Sequence, residues 1–318
     1  MGKIKHFLYI PWTGLGLYGG FRGNRWLKNR IKVFKQFVIP SLQAQTNKNF
    51  TLWCSWRREE RNNPYVKELI DYLDEIKEFK TVHTFHGICF WDDKYPDDQA
   101  RDRLLDSIHR STADLLDEIG EVDSVYMTIQ PSDDCYASVM VDVVQKSFNQ
   151  LPLLKCIGFT KGYMMNYLTK ELAEYNPNTN PPFVTIKFPR DTFINPTKHA
   201  EYTAIKKDTG EYKAGTPCPS HEFYPAVFGE NFGRINERGF LVGCHGENIS
   251  TVFNHPFKGD EVSQEVLKQF GLYDVLPLKL KVSWRKWLLR KLPHRVQRKL
   301  RYIFGELIWQ KIYNFLRN

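Results

Sequence analysis

The chain has 318 residues, 42% of them apolar and 14% aromatic, which is enough to bury a substantial core and too apolar for a disordered segment. Its net charge of +9 is unevenly spread: residues 1–58 hold 11 Lys/Arg and no acid, residues 279–318 hold 12 Lys/Arg against Glu306 alone, and the stretch between is net −13. An acidic body with two basic ends argues against a uniformly basic nucleic-acid-binding domain, so nucleic acid is not an expected partner. No apolar run is long enough to span a bilayer or to act as a signal peptide, and six scattered cysteines without a C-x-x-C pair point to reduced thiols in the cytoplasm.

In chain order, Ile4 to Ile10 predicts a first strand, followed by a loop with Gly14, Gly16, Gly19, Gly20 and Gly23. Trp26, Leu27, Ile31, Phe34, Phe37 and Val38 then fall at helical spacing, with Lys28, Arg30, Lys32 and Lys35 elsewhere around the helix and Pro40 as its end. Phe50 to Trp56 predicts a second strand, and Asn63-Pro64 opens a helix with Val66, Leu69, Ile70, Leu73 and Ile76 on one face. A third strand is expected within Thr81 to Trp91, a helix over Ala100 to Ile119, and a fourth strand over Val122 to Ile129. This alternation predicts a parallel α/β sheet, in which ligands bind beyond the carboxyl ends of the strands. Further on, Val139 to Phe148 reads as a helix, Leu154 to Phe159 and Phe183 to Phe188 as strands, and the rest of 176–220 as long loops.

The fourth strand runs into Gln130-Pro131-Ser132-Asp133-Asp134. Adjacent carboxylates repel one another, and hard oxygen ligands of this kind suit Mg²⁺ or Mn²⁺; a solvated turn is the alternative, since Asp is common in turns. Gly14-x-Gly16-x-x-Gly19 matches the dinucleotide fingerprint by letter, but no acid follows before Glu59 to hold a ribose. Pro11, Trp12 and Thr13 lie at the end of the first strand, where such a sheet binds its ligand. In the last forty residues Val296, Leu300, Ile303, Phe304, Leu307, Ile308, Ile312, Phe315 and Leu316 form an apolar stripe behind Trp284-Arg285-Lys286-Trp287. Such a basic amphipathic segment suits an anionic membrane surface, or alternatively docks on the domain before it.

Arg25-Trp26-Leu27-x-x-Arg30-x-x-Val33-Phe34-x-x-Phe37-x-x-Pro40-Ser41-Leu42-x-x-Gln45-Thr46, leading into Phe50-Thr51-Leu52-Trp53, resembles the bacterial putative rhamnosyltransferases. These belong to the glycosyltransferases of the GT-A fold. The resemblance runs over roughly residues 5–255 and includes Ser132-Asp133-Asp134 in place of an Asp-x-Asp motif, Ala100-Arg101-Asp102, and a His/Asn element at His245-Gly246-Glu247-Asn248-Ile249-Ser250. It implies a Rossmann-like nucleotide-diphospho-sugar transferase domain of the GT-A type, here 1–275, while the basic amphipathic pattern makes 276–318 a helical, membrane-associating appendage.

By that resemblance the enzyme moves a sugar from a nucleotide-sugar donor to a saccharide or lipid-linked glycan acceptor in surface polysaccharide or lipopolysaccharide synthesis, on the inner face of the plasma membrane. It implies Asp133, Asp134 and His245 around Mn²⁺ or Mg²⁺. Donor contacts are expected from Pro11, Trp12, Thr13, Ser55, Arg57, Arg101 and Ser132. A carboxylate must deprotonate the acceptor hydroxyl if the reaction inverts; Glu222 is the first candidate by order along the chain and Asp191 the second. Two departures stand out: Ser55-Trp56-Arg57 replaces the usual base-holding Asp after the second strand, and Pro131 replaces the first acid of the motif. A nucleotidyltransferase, or a non-catalytic module binding nucleic acid or lipid, are the competing readings.

Overall fold

The parallel half of the sheet is built from strands buried on both faces. In the computed structural model, β1 (Ile4–Pro11) lies between β2 (Thr51–Arg57) and β4 (Ser124–Ile129), and β2 pairs with β3 (Lys80–Gly87), all in parallel. Phe7, Leu8, Tyr9 and Ile10 are buried in succession, as expected where helices cover both sides of a strand. The structure describes residues 2–12, 24–87, 97–203, 221–245, 248, 253 and 258–280. The glycine loop with Thr13, the end of the expected third strand past Gly87, the basic C-terminal stripe and the side chain of Arg101 lie outside the described residues.

The chain divides into two compact units, Met1–Phe21 with Arg30–Leu278, and Arg22–Asn29 with Lys279–Asn318. Within the first, the order β3-β2-β1-β4 is the parallel series that the sequence predicts. β8 (Val184–Pro189) then joins β4 antiparallel, and β6 (Cys156–Asn166) joins β8 antiparallel. β7 (Leu172–Tyr175) and β10 (Lys258–Glu261) complete that edge, while β9 (Phe232–Cys244) pairs parallel with β6 and antiparallel with the two-residue β5 (Cys135–Tyr136). The result is a mixed sheet, parallel from β3 to β4 and largely antiparallel beyond it. One face is packed by α5 (Leu116–Ile119), α7 (Arg190–Ile194) and α9 (Tyr224–Phe228), whose Ile119, Phe193, Tyr224 and Phe228, with Leu115 between α4 (Asp97–Asp114) and α5, join Phe7, Tyr9, Trp53 and Met127 in one core cluster.

Three expectations are corrected. Pro40 does not end the first helix: α1 (Asn24–Val33) passes into a π-helical turn over Phe34–Val38 and then into α2 (Ile39–Gln43). The Ile39 N–H reaches back to the Phe34 carbonyl, and Pro40 falls in the first turn of α2, where a missing N–H costs little. The stretch after β8 is not all loop, because Asn195 caps α8 (Pro196–Tyr202) by accepting from the Lys198 N–H and Pro196 starts it. The strand after Leu154 runs on to Asn166, and the 13-residue β9 was unforeseen because polar residues interrupt its apolar alternation.

The family-like letters have structural work to do. Ser41 Oγ donates to the Val38 carbonyl at 2.8 Å, within the π turn. Gln45 is buried and bridges two segments: its amide donates to the Ala137 carbonyl at 2.8 Å and its oxygen accepts the Val141 N–H at 3.2 Å. The Thr46 N–H donates to the Ser138 carbonyl at 2.7 Å. Together they clamp the end of α2 onto the chain immediately after the Asp pair, between β5 and α6 (Met140–Gln150).

Candidate active site

β4 ends at Ile129, and the Gln130 N–H still pairs with Tyr9 of β1 at 2.8 Å. The chain then turns through Pro131 and Ser132, both half-buried, and delivers Asp133 and Asp134 at 6% and 8% exposure. Gln130 is fully buried and holds the turn by donating from its amide to the carbonyls of Pro131, at 2.8 Å, and Asp134, at 2.9 Å.

The two carboxylates face different partners. Asp134 Oδ1 accepts the Gly243 N–H of β9 at 2.8 Å. Asp133 Oδ2 forms an ion pair with Arg30 Nη1 from α1 and lies 3.1 Å from His245 Nε2 and 3.3 Å from Asn248 Nδ2. Burial alone would raise both acids, but the Arg30 charge and the His245 contact hold Asp133 down at about 2. Asp134 has burial and the Asp133 charge against it, and is pushed well above the usual carboxylate range despite its backbone donor. The surroundings therefore favour negative charge on Asp133 over Asp134.

Around this charge the backbone is tightly specified. Tyr167, fully buried at the end of β6, donates from its hydroxyl to the Asp133 carbonyl at 2.9 Å, and its ring stacks on Phe37 of the π turn at 3.7 Å between centroids. Its N–H bonds the Cys244 carbonyl at 2.8 Å. A Cβ at residue 243 would fall 2.3 Å from the Asp133 carbonyl oxygen and 2.3 Å from the Tyr167 ring, so only glycine fits there. Beyond it, Asn248 closes a small loop: its amide donates to the Gly243 carbonyl at 2.5 Å and its oxygen accepts the His245 N–H at 2.7 Å.

The structure thus brings together Asp133, Asp134 and His245 of the expected metal set. Asp133 and His245 converge on one point, an oxygen and an imidazole nitrogen that suit Mn²⁺ or Mg²⁺, whereas Asp134 is turned towards backbone. Among the described residues no group of three His, Cys, Asp or Glu side chains forms a metal cage. Asp133 and His245 are the two residues that would hold an ion, with the remaining positions left to substrate phosphate and water.

The other expected residues separate. Pro11 lies at the carboxyl end of β1 beside Ser55 of β2, but Ser55 is 2% exposed and Trp12 3%, with the Trp12 ring stacked on Trp56. Both side chains are packed into the floor at the ends of β1 and β2. Arg57, at the end of β2, is half-buried 3.5 Å from Glu59. Glu222 is exposed in a 3₁₀ turn (His221–Phe223) before α9 and makes no hydrogen bond or ion pair among the described residues.

Asp191 is not at the site. Pro189 pairs with Ser124 at the amino end of β4, so Asp191 lies beyond the far end of that strand, paired with Arg190, which itself bonds the Gly120 carbonyl. The six residues of β4 alone separate the two ends by roughly 17 Å.

Arg30, Tyr167, Gly243 and Asn248 were not foreseen as site residues. For Arg30 a signal existed: it sits three residues after Leu27 and four before Phe34, on the apolar stripe and not off it. A charge at a core position of a helix calls for a buried partner.

Residues 22–84 match the model of the family described as "Putative rhamnosyl transferase". No curated protein matches. Among solved structures, the chain aligns with residues 1–349 of TarS from S. aureus at 10% identity and a TM-score of 0.37, covering 92% of this chain and 82% of that one. It also aligns with mouse xyloside xylosyltransferase 1, apo form, at 10% identity and a TM-score of 0.35, covering 73% of this chain and 85% of that one. The matched stretch contains Arg30, the Ser41–Gln45–Thr46 clamp and β2. Over residues 22–84, then, the chain is similar to the family described as "Putative rhamnosyl transferase".

Proposed function

We propose that the chain transfers a sugar from a nucleotide-sugar donor to a saccharide or lipid-linked glycan acceptor, with the donor's diphosphate seated over Asp133 and His245. One observation carries this reading. Three distant segments, α1, the end of β4 and the end of β9, deliver Arg30, Asp133 and His245 to a single buried point beyond the carboxyl ends of the parallel strands. That is where an open α/β sheet binds its ligand.

Departure of the sugar leaves negative charge on the nucleoside diphosphate, and a bound divalent ion would supply the compensating charge there. Arg30 adds a fixed positive charge beside the same position, and Arg57 offers a second at the end of β2. Asp133 stays ionised, and Asp134 holds the Gly243 backbone so that His245 keeps its direction. The Asn248 clasp closes the loop over Gly243. Glu222 is the candidate for taking the acceptor proton, being an exposed carboxylate that is not committed to a described partner. The departures at Ser55 and Pro131 leave the base and ribose ends of the donor to other residues.

The setting belongs to the same proposal: a lipid-linked acceptor in surface polysaccharide or lipopolysaccharide synthesis, met at an anionic membrane face through the basic residues of 279–318. No helix among the described residues is long and apolar enough to cross a membrane. A panel of nucleotide-sugars with Mn²⁺, read as thermal stabilisation, tests the reading. At least one nucleotide-sugar should raise Tm, and free nucleoside triphosphates should do so less. Stabilisation by triphosphates in preference to every nucleotide-sugar would point to nucleotidyl transfer instead.

A further inference from the structure

We propose that Arg30 is a built-in counter-ion that competes with a divalent cation for Asp133, so that the site takes the metal only together with an anionic diphosphate. This rests on the reading of Asp133 as the donor-site carboxylate and adds a binding order to it.

Arg30 is 2% exposed, and its guanidinium is already paired with Asp133 Oδ2. That oxygen also faces His245 Nε2 at 3.1 Å and Asn248 Nδ2 at 3.3 Å. The oxygen best placed to bind a cation with His245 is thus neutralised by a charge of the chain itself. The arginine is not loosely held: the helix carrying it runs on into the π turn, where Phe34 and Phe37 are fully buried and Phe37 stacks on Tyr167.

A divalent ion arriving alone would displace or abut a fixed positive charge in a poorly hydrated setting, where repulsion between like charges is strong. It would also find few ligands, since the described residues offer no third His, Cys, Asp or Glu side chain around that point. A diphosphate changes both terms. Its oxygens supply the missing ligands, and its charge gives the guanidinium a bidentate acceptor, which releases Asp133 Oδ2. Asp134 makes a separate contact, its Oδ1 accepting the Gly243 N–H, and shares none of the three partners of Asp133 Oδ2.

The test is Mn²⁺ binding by the full chain, read from the electron paramagnetic resonance signal of the free ion, for wild type, Asp133→Asn, Arg30→Gln and Arg30→Gln/Asp133→Asn. Wild type without nucleotide should bind more weakly than about 1 mM and tighten at least about tenfold with saturating nucleoside diphosphate. Arg30→Gln should bind Mn²⁺ alone at least about tenfold more tightly than wild type, and the double variant should lose that gain. Equal affinity in wild type and Arg30→Gln, abolished by Asp133→Asn, would overturn the competition and leave the donor-site reading standing. Affinity that no variant changes would overturn both. If Arg30→Gln does not fold, wild type alone decides. A Mn²⁺ site tighter than about 50 μM without diphosphate, lost in Asp133→Asn, refutes the proposal.

Discussion

Gly243→Ala places one methyl group where β9 crosses the Asp pair. Its carbon would lie 2.3 Å from the Asp133 carbonyl oxygen and 2.3 and 2.4 Å from two Tyr167 ring carbons, about 1 Å inside ordinary contact. Neither neighbour can yield cheaply, since one is backbone and the other is a buried ring stacked on Phe37 and tied to Asp133. Overpacking of this kind costs about 1–3 kcal/mol. Any retreat of β9 also stretches the Gly243–Asp134 hydrogen bond, for about 1–2 kcal/mol more. The expected loss is about 2–5 kcal/mol, which for a unit of this size lowers Tm by roughly 5–15 °C. Thermal unfolding followed by circular dichroism measures it, with Gly239→Ala unsuitable as a control because that position is also crowded, by Phe159. A fall of less than about 2 °C would refute the claim that the close approach of β9 to the Asp pair is what fixes the site.

Other outcomes follow from the same geometry. Tyr167→Phe removes the donor to the buried Asp133 carbonyl and should cost about 1–3 kcal/mol in urea unfolding, with the ring stack retained; an unchanged midpoint would mean that water replaces the hydroxyl. Asp134→Asn should be nearly neutral in stability, because burial and the Asp133 charge push Asp134 well above the usual carboxylate range and Asn keeps the acceptor for the Gly243 N–H. Asp133→Asn, which takes the carboxylate charge away from the buried Arg30, should cost about 3–5 kcal/mol; the reverse ranking would show that the charge sits on Asp134. His6 and His199 are buried and His83 is half-buried, and desolvation pushes His6 down to about 3 and His83 and His199 down to about 4. The unfolded chain therefore takes up these protons first as pH falls. The stability they confer is complete above pH ~6.5 and is lost towards their folded values, at about 2 kcal/mol each between pH 7 and 5. A flat urea midpoint over that range would contradict their neutral burial.

The parallel half of the fold was legible because its strands are short apolar runs bounded by capped helices, as at Asn63-Pro64. The antiparallel half was less so. β7 has four residues and β9 alternates with Asn236, Glu237 and Arg238, so neither offers a clean period. At the site, Asp133 and His245 were legible as residue types at turn and strand ends. Their meeting depends on β9 returning beside β6 and pairing with β5, a contact over more than a hundred residues that no local pattern encodes. Asp191 was misplaced for the same reason: its distance from Asp133 follows from the antiparallel direction of β8, which the sequence alone leaves open. Arg30 was readable and was assigned to the wrong face, since a basic helix invites the assumption that every charge on it is solvated.

The central claim is that Asp133 marks the donor site of a glycosyltransferase. It is tested most directly by release of nucleoside diphosphate from a panel of nucleotide-sugars with Mn²⁺, comparing wild type with Asp133→Ala and folding checked in parallel. Wild type should release diphosphate from at least one donor, and Asp133→Ala, still folded, should lose at least about a hundredfold of that rate. Release at the wild-type rate by a folded Asp133→Ala would contradict the account.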